Sequence, residues 1–180
     1  MNQQPLKVGI ILGSTRIGRT SPEVGEWVKK LADQRKDASF EIVDIKDYQL
    51  PFLGETKDLE NVIKWNEKLK ELDAFIFIVA EYNHSITAAL KNALDSARDA
   101  WNNKSAGIVS YGSAGGARAA EHLRTILGEL QVADVRTHVL LSLFHDFKEG
   151  KFVPQSLHHV NVSDMLDQLI SWGKALRETR

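Results

Sequence analysis

Cysteine is absent from the 180 residues, which removes disulfides, thiol nucleophiles, thiolate metal sites and dithiol redox chemistry together. Any redox role therefore needs a cofactor. No apolar run approaches the length of a membrane span, and Met1 to Pro5 is a polar start without the apolar core of a signal peptide, so the expected address is the cytoplasm. An excess of one charge is missing too. The 23 basic and 24 acidic residues leave a formal charge of −1, which gives no reason to expect nucleic acid or an anionic membrane as partner. There is no G-x-G-x-x-G dinucleotide fingerprint, no G-x-S-x-G nucleophile elbow and no second carboxylate at a telling spacing from Glu81 or Asp95, which sets aside the Rossmann, serine-hydrolase and glycosidase readings. His158 and His159 are adjacent and point apart on a strand or a helix, so no metal site is expected there. Without repeats, low-complexity segments or linkers, residues 1–180 read as one domain with a sizeable core.

What is present is a regular alternation of strands and helices. Val8, Ile10, Ile11 and Leu12 form a short apolar run suited to a parallel strand buried on both faces, and Gly13 ends it. Ser21 can cap the helix that follows, with Pro22 in its first turn and Val24, Trp27, Val28 and Leu31 on its apolar face. Phe40 to Ile45 alternates as a second strand. Asp44 to Thr56 is a loop in which Asp44 reads as a turn residue. Thr56 or Asp58 caps a helix with a buried stripe of Leu59, Val62, Ile63 and Leu69. Ala74 to Ala80 has no polar break and reads as the central strand. A third helix carries Ile86, Leu90, Ala93 and Ala97, and Ala106 to Ser110 is a fourth strand. A fourth helix carries Ala119, Leu123, Ile126, Leu127 and Leu130. Val132 to Leu143 supplies a fifth strand, Phe144 to Gln155 is irregular, and Asn161 with Asp164 boxes a last helix through Leu176. Five strands alternating with five helices predict one doubly wound parallel α/β sheet.

In such sheets ligands collect at the carboxyl ends of the strands, near the point where strand order reverses. Three loops there carry chemistry: GSTRIGRTS after the first strand, AEYNHS after the third and YGSAGG after the fourth. Ser14, Thr15, Arg16, Arg19, Thr20 and Ser21 surround a helix start, whose free N–H groups favour an anion. Gly13 to Thr20 is one residue from the P-loop pattern of nucleoside triphosphate enzymes, with Arg19 in place of its lysine. Tyr82 and Tyr111 offer surface to a ring, while Gly112, Gly115 and Gly116 let backbone approach it. A planar aromatic ligand with one phosphate, such as flavin mononucleotide, meets these demands better than a triphosphate. Each residue also has a plainer role: Tyr82 and Tyr111 as packing at strand ends, Asn83 as a cap for the next helix, Gly115 and Gly116 as a tight turn, His84 as an ordinary loop residue.

The set GSTRIGR, AEYNHSITAALKNALD and YGSAGGARAAEHLR resembles the NAD(P)H-dependent FMN reductases, flavodoxin-like proteins that include quinone, azo-dye and chromate reductases. Their order and spacing match over roughly the first two thirds of the chain. The resemblance implies a flavodoxin-like five-stranded sheet of order 2-1-3-4-5. It implies that Ser14, Arg16 and a hydroxyl at Thr20 or Ser21 hold the FMN phosphate, that Glu81, Tyr82 and Asn83 line ribityl and ring, and that Tyr111, Gly112, Ser113, Gly115 and Gly116 close over the pyrimidine side. Two positions depart from the family pattern. Ala80 stands where proline usually precedes E-Y-N, and Arg19 stands where many members have serine, adding a contact to the FMN phosphate or facing a coenzyme's phosphates.

The expected reaction is hydride transfer from NADPH or NADH through FMN to a small-molecule acceptor, a quinone, flavin or azo compound, with the protein positioning the ring and no catalytic acid or base named. The alternatives are a P-loop-like nucleotide kinase and a non-catalytic FMN electron carrier. The resemblance also implies a homodimer, or a dimer of dimers, through the third and fourth helices, where Ala88, Ala89, Ala119 and Ala120 permit close packing.

Overall fold

Seven residues of unbroken apolar character, Ala74–Ala80, form a strand with every residue buried, and the rest of the sheet is laid out on either side of it. The computed structural model describes residues 4–97 and 99–180. In chain order the elements are β1 Leu6–Leu12, α1 Ser21–Ala32, β2 Ala38–Asp44, α2 Glu60–Lys70, β3 Ala74–Ala80, α3 Ala88–Asp95, β4 Lys104–Gly112, α4 Ala117–Glu129, β5 Val132–Asp134, β6 Val139–Ser142, β7 Phe147–Lys148, β8 Lys151–Phe152 and α5 Leu157–Arg177. The main sheet is parallel with order β2-β1-β3-β4-β5, and β6 also pairs with β4. This is the predicted 2-1-3-4-5 arrangement, with its reversal of order between β1 and β3.

Alternation along β3 sorts the core. Ala74, Ile76 and Ile78 join Val24 and Val28 of α1 and Met165 and Leu169 of α5 in one layer. Phe75, Phe77 and Val79 join Trp65, Leu90, Trp101 and Leu123 in the other. Full burial of side chains this size contributes roughly 1.5–3 kcal/mol each. The indoles keep their polar ends satisfied, since Trp65 Nε1 donates to Ala93 O (2.8 Å) and Trp101 Nε1 to Leu94 O (3.2 Å).

The predicted fifth strand is broken in two. β5 pairs with Lys104–Ala106 and β6 with Val109–Gly112. Between them the backbone is taken up by side chains from the flanking helices. Arg124 donates to Val135 O (3.0 Å) and Arg136 O (3.2 Å), and Thr137 N donates to Gln168 Oε1 (3.1 Å). The stretch read as irregular contains the β7–β8 hairpin, turned at Glu149 and Gly150 with φ of 50° and 77°. Its Phe147 and Phe152 rings lie 5.2 Å apart, and Phe152 stands edge-on to Trp27 at 5.5 Å. The stripe of α2 is corrected as well: Trp65 and Leu69 are buried, while Leu59 and Ile63 are exposed. Asp58 accepts from Glu60 N (3.1 Å) at the start of that helix. α5 begins at Leu157, four residues before the expected Asn161 box.

Candidate functional site

Parallel pairing of β1, β3 and β4 brings their carboxyl ends to one rim, and hydrogen bonds join the three predicted loops. Gly13 N donates to Ile78 O (3.0 Å), and a Cβ on Gly13 would come within 2.7 Å of that oxygen, so the close approach requires glycine. Thr87 Oγ1 donates to Gly13 O and accepts from Leu90 N (3.0 Å). Thr87 therefore caps α3, the plainer role considered for Asn83. The Ile-Thr-Ala-Ala-Leu spelling carried the signal, a threonine three residues ahead of an apolar helical position.

In the first loop Ser14 is buried, Arg16 is exposed with Nη1 on Ile17 O (3.2 Å), Ile17 is 93% exposed and Gly18 turns with φ of 68°. Thr20, not Ser21, occupies the N-cap of α1, with Pro22 in the first turn, and no side chain among the described residues caps this helix. Its first N–H groups are thus left for an anion. Ser21 is buried with Oγ 3.5 Å from Ser14 O. Arg19 turns inward. Its Nη1 donates to Ser14 O (2.6 Å) and Asp44 Oδ1 (2.7 Å), and its Nη2 to Asp44 Oδ2. The hydrogen bond to Asp44, working against burial, raises the guanidinium pKa further above its ordinary range. Asp44 is the turn residue expected, accepting from Lys46 N (3.0 Å), and is also this arginine's partner.

The second loop is a two-residue hairpin. Tyr82 N donates to Ser85 O (2.9 Å) and Ser85 N to Tyr82 O (3.0 Å), with Asn83 and His84 at φ of 49° and 66°. These left-handed angles suit asparagine. Tyr82, 41% exposed, projects from it. Ala80, where the family pattern has proline, ends β3 in register with Tyr111.

Glu81 reaches the third loop. Its side chain is 5% exposed; Oε2 accepts from Arg118 N (3.1 Å) and Ala119 N (3.4 Å), and Oε1 from Arg118 Nε (2.7 Å). Burial alone would raise the carboxyl pKa, but the Arg118 guanidinium and the helix N–H groups together hold it below its ordinary value. Glu81 is therefore the cap that α4 lacks, since its N-cap is Gly116. Arg118 is the residue that sequence reading missed. The signal was a helix led by glycine, which has no side-chain acceptor of its own, beside an acid at a buried strand end.

Tyr111 belongs to β4 itself and is buried, its ring 6.2 Å from Phe147. Burial, the largest influence, raises its phenol pKa, with the hydroxyls of Thr20 and Ser21 working the other way. Gly112 O accepts from Gly115 N (3.1 Å) and Leu143 N (3.0 Å), and Ser110 Oγ donates to Gly115 O (2.7 Å). Gly116 has φ of 75°, and a Cβ there would lie 2.8 Å from Tyr111 N. Ser113 stands exposed at the loop tip. The rim thus holds an uncapped helix start, an exposed guanidinium on the loop before it, an exposed tyrosine and a tight glycine loop, a set that fits a phosphate joined to a flat ring.

A family model described as NADPH-dependent FMN reductase matches residues 6–146. The chain is 33% identical over 149 residues to an NAD(P)H-dependent FMN reductase of Schizosaccharomyces pombe, covering 78% of this chain and 74% of that protein. It is 36% identical over 137 residues to an NAD(P)H:quinone oxidoreductase of Solanum tuberosum, covering 70% of each. The structure of FerB, a flavoenzyme NAD(P)H:(acceptor) oxidoreductase from Paracoccus denitrificans, superposes with a TM-score of 0.77 at 22% identity, covering 94% of this chain and 98% of that one.

Proposed function

The chain belongs to the NADPH-dependent FMN reductase family, and from that premise we propose that the three-loop rim is its FMN site and that a quinone is its acceptor. It is an FMN-dependent NAD(P)H oxidoreductase. The observation that carries the site assignment is the contrast between two helix starts on one rim. α4 has its N–H groups satisfied by Glu81, while α1 has no side-chain cap among the described residues and follows the loop that carries the exposed Arg16. The phosphate belongs at α1.

When bound, FMN supplies the two-electron chemistry of hydride acceptance and delivery. The chain's own residues position and shield. Arg16, Ser14 and the hydroxyls of Thr20 and Ser21 hold the phosphate. Arg19 holds the loop rather than the ligand, since both its terminal nitrogens are engaged within the chain. Tyr82 and Asn83 line one side of the ring, and Gly112, Ser113, Gly115 and Gly116 close on the other. Glu81 and Tyr111 act from beneath, Glu81 tying the second loop to the third and Tyr111 packing at the end of β4. The name of the Solanum relative supports a quinone as acceptor.

The whole chain acts as one FMN-binding unit, paired as a homodimer through α3 and α4. A cavity of about 660 Å³ lies between these helices, lined by Ser85, Lys91, His122 and Ile126. Ala88 and Ala89 stand at least partly open, whereas Ala119 and Ala120 are buried within the subunit and take no part. Sedimentation showing only monomer at micromolar concentration would remove the dimer.

The test of function begins with the purified protein. It is expected to be yellow, to release FMN on heating, and to oxidise NAD(P)H steadily when 1,4-benzoquinone is added. Tight ATP with magnesium and no flavin would point to the kinase alternative. Bound FMN without turnover would point to an electron carrier.

A further inference from the structure

The segment between β2 and α2 lies beside this rim and supplies none of the residues placed around FMN above. It is built with care. Asp44 accepts from Lys46 N, Gln49 adopts φ of 44°, and the Asn92 amide of α3 donates to Leu50 O (3.3 Å) and Pro51 O (3.0 Å). These bonds fix the segment against α3 and leave a crevice of about 400 Å³, whose lining includes Thr15 of the phosphate loop, Lys46, Gln49, Phe52 and the small side chains of Ala88 and Ala89. Its volume suits a small organic ligand, and its flat alanine wall with an exposed phenyl ring at the edge suits a planar one.

Charge narrows the choice. Most cations around the rim are engaged: Arg19 with Asp44, Arg118 with Glu81, Lys91 with Asp95, while Arg16 serves the FMN phosphate in the reading above. Lys46 is exposed, and among the described residues its ammonium is in no ion pair. A quinone acceptor is uncharged and is a weaker partner for a lysine than a phosphate. The nicotinamide coenzyme carries its phosphates on and beside the adenosine, together with a planar purine, and its other end must reach the flavin next door.

Resting on the FMN-reductase reading, we infer that this crevice receives the adenosine half of NAD(P)H, with Lys46 facing a phosphate and Phe52 against the purine. The crevice and the flavin rim share Thr15, which sets the two side by side. The phosphate at Lys46 is either the 2′-phosphate of NADPH or the diphosphate common to both coenzymes.

The experiment uses the FMN-loaded protein, with Lys46→Ala, Phe52→Ala and a control, Lys70→Ala, at the opposite end of the sheet. KM is measured for NADPH and NADH with 1,4-benzoquinone, and binding of 2′,5′-ADP and ADP-ribose is measured by calorimetry. Lys46→Ala is expected to raise a coenzyme KM about fivefold, the size of an exposed charge contact, and to weaken the matching fragment equally. A rise for NADPH and 2′,5′-ADP alone supports the inference with the 2′-phosphate as the contact. A rise for both coenzymes and ADP-ribose supports it with the diphosphate. Phe52→Ala is expected to weaken all of them, and Lys70→Ala none. Holoprotein that turns over with KM and fragment binding unmoved by Lys46→Ala overturns the inference and leaves the reductase reading standing. Protein that takes up no FMN removes that reading instead.

Discussion

Arg19 and Asp44, 25 residues apart, meet through two parallel contacts at the junction of the first loop and the end of β2. Both side chains are largely covered, at 12% and 15% exposure, so the pair lies between the exposed and buried limits, and breaking it costs about 2 kcal/mol. Its effect on FMN has a sign that depends on which partner is removed. Arg19→Ala leaves an uncompensated carboxylate under a loop that binds phosphate, whereas Arg19→Ala with Asp44→Ala removes the charge as well. Arg19→Ala is expected to weaken FMN about tenfold, and the double variant less than that. Flavin fluorescence titration of the parent, Arg19→Ala, Asp44→Ala and the double variant measures it, and strictly additive losses would show that the pair does not act as a unit.

Arg16 differs in kind, because its guanidinium is exposed and among the described residues forms only a 3.2 Å contact to Ile17 O. A charge-assisted bond to phosphate contributes about 1.5–3 kcal/mol. Arg16→Ala is therefore expected to weaken FMN by about tenfold to a hundredfold and to leave riboflavin, which has no phosphate, almost unaffected. Equal weakening of the two flavins would place the phosphate elsewhere.

Glu81 links flavin retention to acid. Its carboxyl is held below the ordinary 4.5 in the folded chain despite burial, by Arg118 and the α4 N–H groups. Stability from this group is present above the unfolded value and is lost as pH falls through the folded one. Titration below about pH 4.5 should loosen the second and third loops together and release FMN. Glu81→Gln should remove that acid-dependent step while lowering stability at neutral pH by about 1–2 kcal/mol. The pH profile of flavin fluorescence for the two proteins is the comparison. An unchanged profile would mean that another carboxylate governs release.

The parts of the fold legible in the sequence are those where local pattern and burial agree. The seven apolar residues of β3 and the Gly13 break after β1 admit one interpretation each, and together with the alternation of elements they led to one doubly wound parallel sheet, whose strand order came from the family resemblance. What escaped depends on partners distant in sequence. Val132 to Leu143 has the composition of one strand, and only Arg124 and Gln168, arriving from α4 and α5, divide it. Leu59 and Ile63 have helical spacing with Val62 and Leu69, yet the large indole of Trp65 sets which face of α2 turns inward. In the candidate site the loops were legible because glycine and hydroxyl clusters at strand ends are local. The roles of Arg19, Glu81 and Thr87 were not, since each is defined by a partner 25 to 74 residues away.

Lys104 tests the energetics far from the site. It is 4% exposed, with Nζ donating to Leu69 O (2.6 Å) and lying 5.4 Å from the Phe75 ring centroid. Burial first, then the charge of Arg180, lower its pKa from 10.5 to about 8, with Asp73 working the other way. For a base lowered in this manner, the unfolded chain holds more protons between about pH 8 and 10.5, so stability rises with pH across that window and the full penalty applies below it. The penalty is on the order of 3 kcal/mol by linkage, and the bond to Leu69 O with the ring contact returns roughly half. Lys104→Met keeps the volume without the charge, and Leu69 O still accepts from Leu72 N (3.2 Å). The variant should be more stable than the parent by about 1–2 kcal/mol at pH 7, with the gain shrinking toward pH 10.5. Urea unfolding of both proteins at the two pH values decides it, and a difference that stays constant with pH would show that the ammonium is not the source.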